Sequence, residues 1–331
     1  MTLRNFIISL AGAAALTAVM AGCDRQQFRT SEGGVWNTTY RIVYRADKTL
    51  DDSILAVMKQ VEMSLSPFND SSLISRINRG EPGVKPDSLI VTVFSTSADI
   101  NRRSGGAFDP TVAPLINAWG FGYRNGTGDP SQHAIDSLLE LVGIAECRLT
   151  PDSIAKKHPL TEFNFSAITK GLGVDCVAAM LRRNGVTDYL VEIGGEIALL
   201  GTNPHGAPWR VMIDAPDSTD IAGHSRLTVI SPPAGGLATS GNYRNFHTLE
   251  GGRRTWHTIS PVTGYPAPSH ILSATVIAPS TMEADALATS CMAMPPDSAM
   301  AMIERYEGAE ALLVLPDMNL MTSTGFPELQ N

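Results

Sequence analysis

Twelve consecutive residues, Asn164-Phe165-Ser166-Ala167-Ile168-Thr169-Lys170-Gly171-Leu172-Gly173-Val174-Asp175, constrain this chain more than any other stretch. An apolar approach leads into a small polar turn, one lysine and two glycines. Val174, Val177, Ala178 and Leu181 then recur three or four residues apart, which predicts a helix from near Lys170 to Gly185. Glycines at a helix start let backbone N–H groups approach an anion, and the helix dipole favours negative charge there. Lys170 adds a full positive charge, so the stretch reads as a site for a phosphate or diphosphate. The G-x-x-x-x-G-K-[ST] spacing of a Walker loop is absent. The plainer alternative is a glycine-containing helix start whose lysine faces water.

The chain has 331 residues, room for one large domain or two modest ones. Its net charge is −8, with no block of lysine and arginine, which argues against non-specific nucleic-acid binding. A phosphate ligand must therefore be held by a local site and not by a basic surface. Residues 1–22 read as a signal peptide: Arg4 is the positive start, and Phe6 to Met20 is apolar but short for a membrane span. Met20-Ala21-Gly22-Cys23 resembles a bacterial lipobox, which makes Cys23 the expected lipidated first residue; an ordinary signal peptide with a chance cysteine is the alternative. Residues 23–34 are polar and read as a lipidated tether to a membrane, with the domain in 35–331. Cys147, Cys176 and Cys291 are scattered and show no metal-site spacing.

Alternation over Trp36–Arg45 predicts a strand. Ile54, Met58, Val61 and Leu65 mark a helix that Asp51 and Asp52 are placed to cap, and a polar segment runs to Asn78. A second helix is expected from Asp87 to Arg103, an ordered loop over Gly106–Gly122, and a helix over Ser131–Leu141. Strands are expected at 189–193, 197–200, 209–213, 227–230 and 236–239, all in one sheet. The strand at 272–278, helices at 282–294 and 297–306, and a closing strand at 311–315 complete the pattern. Consecutive strands dominate the second half, so the fold class is α+β with mixed or antiparallel sheets packed with helices.

Asp285 and Thr289 lie four apart on the helix beginning near Met282, so both oxygens face one side. A carboxylate plus a hydroxyl suits a hard cation such as Mg²⁺, although such residues more often serve caps and surfaces. His257 opens a motif-like strand and is a candidate general base, or a surface histidine.

Together these pieces resemble the ApbE family, the FAD:protein FMN transferases. The resemblance runs from about Trp36 to the C-terminus. It rests on Met63-Ser64 through Ser75-Arg76-Ile77-Asn78, Gly106-Ala107-Phe108-Asp109-Pro110-Thr111-Val112 and Trp119-Gly120-Phe121-Gly122. It continues through Ser166-Ala167-Ile168-Thr169-Lys170-Gly171, Gly194-Gly195-Glu196, Thr239 to Phe246, His257-Thr258-Ile259-Ser260-Pro261 and Glu283 to Thr289.

The resemblance implies a T-fold-related domain with a ligand cleft between subdomains. It implies FAD as substrate, Mg²⁺ on the diphosphate, and an attacking threonine hydroxyl of a target protein. FMN becomes esterified to that threonine and AMP leaves. By position, Asp285, Thr289 and the carbonyl of Ala167 match the metal ligands. Trp36, Phe68, Ala107, Phe108, Asp109, Asn164, Lys170 and Ile259 match positions that hold FAD, and His257 and Asp285 match catalytic positions. Flavinylated subunits of RNF/NQR-type membrane redox complexes are the acceptors implied, and a lipid anchor on the periplasmic side is the location. Three positions depart from the family: Asn164 stands for an Asp, Phe68 for a Tyr or Asn, and Ser260 for an Asp. An FAD diphosphatase giving FMN and AMP, and a non-catalytic flavin-binding lipoprotein, are the rival readings.

Overall fold

A computed structural model describes residues 26–124, 126–216, 225–242, 246–248 and 254–330. The signal peptide, Cys23 and Tyr243-Arg244-Asn245 lie outside the described residues.

The described chain opens with a hairpin, β1 (Gln27–Val35) and β2 (Thr38–Ala46), in antiparallel register from Gln27 opposite Ala46 to Val35 opposite Thr38. The turn residues Trp36 and Asn37 have φ of 48° and 61°. A two-residue type I′ turn requires this left-handed pair; Asn tolerates it, a bulky tryptophan seldom does. The polar composition of 24–34 pointed to a tether, but from Gln27 onward the segment is an edge strand. Its backbone groups pair with β2 whatever its side chains are.

Three helices follow, α1 (Asp51–Leu65), α2 (Leu73–Asn78) and α3 (Ser88–Arg103). Ile54, Met58, Val61 and Leu65 all face inward, as their spacing predicts. Asp51 and Asp52 do not cap α1: Leu50 holds that position without a side-chain bond, and the acids occupy the first turn. The polar run before Asn78 is helical because Ser72 accepts the Ser75 N–H at 3.2 Å. The 106–122 stretch is partly helical, with a 3₁₀ turn at Pro110–Val112 and α4 (Ala113–Ala118). Next come α5 (Gln132–Leu139), the short pair β3 (Arg148–Leu149) and β4 (Ile154–Ala155), and α6 (Ser166–Arg183).

The second half holds β5 (Tyr189–Ile193), β6 (Glu196–Leu200), β7 (Val211–Asp214), β8 (Arg226–Ile230), β9 (Gly235–Gly241), β10 (Phe246–Thr248) and β11 (Arg254–Trp256). After these come β12 (Ser273–Ala278), α7 (Thr281–Met292), α8 (Pro296–Glu304), β13 (Glu310–Val314) and β14 (Leu320–Thr322). One antiparallel sheet of eight strands runs β1-β2-β5-β6-β9-β12-β13-β14. The expected α+β class holds.

Several strand assignments change: β3 and β4 are additional, and His257 follows the end of β11 at Trp256 and opens no strand. β14 adds a strand beyond the expected closing one. β7 and β8 leave the sheet and form a separate two-stranded pair, with Val229 of β8 also bridged to Gln330. Their Val211, Ile213 and Ile230, with Trp209, lie on Ile197, Leu199, Leu237, Ile277 and Leu312 and bury that sheet face. The opposite face takes α1 and α6 over β2 and β5, and α7 and α8 over β9, β12 and β13. Neighbouring residues such as Leu312 and Leu313 therefore serve opposite cores, as the two-residue pleat demands. Among the described residues no helix is long and apolar enough to cross a membrane.

Candidate active site

The site is built where α6 crosses the first turns of α7. A Cβ on Gly171 would lie 2.3 Å from the carbonyl oxygen of Thr281, and a Cβ on Gly236 would lie 2.2 Å from the Thr281 nitrogen. Glycine at both positions lets the backbone of α7 touch α6 and β9. Asp175 fixes the crossing by accepting the N–H groups of Thr281 and Met282 at 3.0 and 2.9 Å, donors that a helix N-terminus leaves unpaired. Ser280 and Glu283 complete the start of α7 with a capping box. One turn further along, Asp285 accepts the N–H of Gly171 at 3.0 Å.

This geometry corrects the anion-loop reading of 164–175. α6 begins at Ser166, so Lys170 and both glycines sit inside the helix. Gly171 receives α7, and a Cβ on Gly173 would lie 2.3 Å from the Trp36 indole. Neither glycine cradles a phosphate. Phe165 precedes the helix without a side-chain cap, so residue spacing alone gave too late a start.

Lys170 forms an ion pair with Glu196, at the start of β6, and among the described residues that is its only salt-bridge partner. The Glu196 side chain is 3% exposed, and its Oε2 is buried without a hydrogen-bond partner. Burial raises the Glu196 pKa, Lys170 opposes the rise and the Asp285 charge adds to it, leaving it at about 8. Burial works against the Lys170 charge, but Asp285 and Glu196 outweigh it and hold that pKa above the ordinary lysine value. Asp285 is raised by burial, opposed by Lys170 and the Gly171 N–H.

Thr289, one turn beyond Asp285, lies 3.3 Å from the Ser240 hydroxyl across the α7–β9 contact. Regular helix geometry directs the Gly171 N–H at the Ala167 carbonyl, so that carbonyl and Asp285 converge on one N–H. The Ala167 carbonyl, the Asp285 carboxylate and the Thr289 hydroxyl are hard oxygen donors, so by donor type these residues fit Mg²⁺. Among the described residues no cluster of three or more His, Cys, Asp or Glu is arranged to hold a metal; a set with one carboxylate falls outside that pattern.

The other expected ligand residues fall into neighbouring groups. Trp36 packs on α6 and joins two cores, with its indole Nε1 buried and unpartnered. Phe108 is buried in the core beneath α3 and α6, with Ala107 partly buried beside it. Asp109 accepts the backbone N–H and hydroxyl of Thr111 at 2.8 and 2.5 Å and the Ile144 N–H at 3.0 Å. Burial raises its pKa against those bonds. The Asn164 N–H donates to Pro110, and its side chain accepts the Ser166 N–H at 2.9 Å. That bond keeps the turn before α6 without a charge. Ile259 packs with Val112, Leu115 and Trp119. Phe68 stands apart, 66% exposed, edge-on to Tyr123 at 6.1 Å. His257 lies edge-on to Phe121, ring centroids 6.5 Å apart.

Two residues escaped the sequence reading. Glu196 appeared only as the end of a Gly-Gly-Glu run; a carboxylate opening an apolar strand was the available signal. Tyr123 gave no pattern. Its hydroxyl donates to Glu162 at 2.7 Å, a contact spanning 39 positions.

An antiparallel α+β sandwich thus carries a lysine, two buried carboxylates and two hydroxyls around the α6–α7 crossing and the adjoining strands. The ApbE family profile matches residues 36–313, and the chain belongs to the ApbE family. It is 35% identical over 339 aligned positions to the FAD:protein FMN transferase of Vibrio cholerae, covering 98% of this chain and 96% of that one. It is 32% identical to the enzyme of that name from Haemophilus influenzae, covering 96% of each. The flavin transferase ApbE structure from Vibrio cholerae superposes with a TM-score of 0.81, at 32% identity, over 91% of this chain and 98% of that one. The apo flavinyl transferase ApbE of Pseudomonas stutzeri gives 0.80 at 30% identity, over 90% and 95%.

Proposed function

We propose that this protein is an Mg²⁺-dependent FAD:protein FMN transferase that acts on a threonine of its acceptor. The observation that carries the reading is Asp285 beside Lys170 at the α6–α7 crossing, in a chain whose family membership spans residues 36–313. The acceptor hydroxyl forms a new P–O bond to the FMN phosphorus of FAD. The anhydride P–O bond breaks, its electron pair leaves on AMP, and the hydroxyl proton passes to a base, for which His257 is the candidate. Asp285, Thr289 and the Ala167 carbonyl would hold Mg²⁺, which supplies charge neutralisation on a diphosphate that otherwise resists attack. Lys170 adds a fixed positive charge. Trp36, Phe68, Ala107, Phe108, Asp109, Asn164 and Ile259 bind and orient the flavin and adenine ends.

Lipidation at Cys23 would hold the enzyme on a bacterial membrane, facing the periplasm. There it would meet acceptors such as RNF/NQR-type redox subunits. A lipid-anchored protein needs no spanning helix.

The test mixes the protein with FAD, Mg²⁺ and a threonine-bearing acceptor peptide, and follows peptide mass and AMP. A peptide carrying FMN, lost on chelation, is the expected result. AMP and free FMN with an unmodified peptide would establish a diphosphatase instead, and intact bound FAD a binding protein.

A further inference from the structure

Lys170 stands between two buried carboxylates on different elements, Glu196 on β6 and Asp285 on α7. It feels both charges, yet its ion pair is with Glu196. Asp285 instead takes a neutral donor, the Gly171 N–H, at 3.0 Å. That choice matters for a carboxylate meant to hold a cation. An ammonium seated on Asp285 would occupy the oxygen and cancel the charge that attracts Mg²⁺.

The Glu196 carboxylate lies beside the β5–β6 turn. A Cβ on Gly194, which has φ of 67°, would lie 3.3 Å from Glu196 Oε2 and 3.0 Å from Thr38. The tight Gly194-Gly195 turn therefore leaves space over the carboxylate that a side chain would fill. Gly194 also ties this turn to the first hairpin through its N–H to the Thr39 carbonyl at 2.9 Å.

Resting on the metal site proposed above, we infer that Glu196 is a positioning residue: it draws the Lys170 ammonium toward the β5–β6 turn and so keeps Asp285 available to the divalent cation. Glu196 touches neither reactant in this role. The role separates metal affinity from flavin affinity, which a general packing role would not do.

The test titrates FAD into the full-length protein by flavin fluorescence, first with EDTA and then at graded Mg²⁺. It yields the metal-free FAD affinity and the Mg²⁺ midpoint. Glu196→Gln is expected to raise the Mg²⁺ midpoint by about tenfold or more and to leave metal-free FAD affinity within about threefold. Lys170→Met removes the competitor, so its FAD affinity falls while its Mg²⁺ midpoint does not rise. The double variant is expected to have a midpoint closer to the parent than Glu196→Gln alone.

An unchanged midpoint in Glu196→Gln, or a double variant no better than that single one, overturns the inference while the metal site stands. If the parent shows no Mg²⁺ effect at all, the metal site itself falls, and this inference with it. Should Glu196→Gln fail to fold, a raised midpoint in Lys170→Met overturns the inference, and an unraised one supports it.

Discussion

The Gly171 N–H and the Asp285 carboxylate meet at 3.0 Å across 114 residues of chain. The contact exists because Gly171 has no side chain: a Cβ would lie 2.3 Å from the Thr281 carbonyl oxygen and 2.8 Å from the Met282 Cα, both backbone. Gly171→Ala must push α7 off α6. A stability loss of about 1–3 kcal/mol is expected from overpacking, with FMN transfer falling more steeply because Asp285 moves. Urea denaturation and the transfer rate check this; a variant of parental stability and rate would contradict the crossing described.

Asp285→Ala removes the one carboxylate of the proposed cation site. Metal-assisted charge stabilisation is worth several kcal/mol, so a loss of Mg²⁺-dependent rate of about a hundredfold or more is expected. Full Mg²⁺-dependent activity in this variant would sink the assignment. Chelating Mg²⁺ from the parent protein is expected to give a loss of the same order.

For His257→Ala the expected drop is about 10²–10⁴, the usual worth of general-base catalysis. A change smaller than about tenfold would remove His257 from that role.

Glu196 gives a signed pH dependence. Its folded pKa, raised to about 8, lies above the ordinary carboxylate value of 4.5. Between those values the folded protein holds the proton more tightly than the unfolded chain, so stability falls as pH rises through that window. The slope from one group cannot exceed about 1.4 kcal/mol per pH unit. Asp285, also raised by burial, acts in the same direction. Thermal melts of the metal-free protein from pH 5 to pH 8 are expected to shift downward, and Glu196→Gln to flatten the trend. A melting temperature that rises across this range would refute the raised Glu196 pKa.

Asp109→Ala leaves the N–H groups of Thr111 and Ile144 without their buried acceptor. Each unsatisfied buried donor costs about 1–3 kcal/mol, so this variant is expected to melt well below the parent and to bind FAD weakly. Calorimetry and fluorescence titration read the two effects. Normal stability with lost FAD binding would make Asp109 a ligand contact alone.

The amino-acid sequence by itself determined the amphipathic faces of α1 and α3, the strands 189–193 and, to within one residue, 272–278, the α+β class and the family motifs. These are local: spacing of three or four along a helix and alternation along a strand are written in neighbouring residues. It also brought Asp285 and Thr289 to one side of α7, since four residues make about one turn. Tertiary structure alone decided that β1 replaces a tether and that β7 and β8 cover the sheet instead of extending it. It alone gave Gly171 and Gly173 to packing against Thr281 and Trp36 and not to a phosphate. Only the fold paired Lys170 with Glu196 and left Asp285 to a backbone N–H. The physical reason is distance along the chain. Lys170 reaches Glu196 across 26 residues and Gly171 reaches Asp285 across 114, and no local pattern encodes how closely their backbones approach.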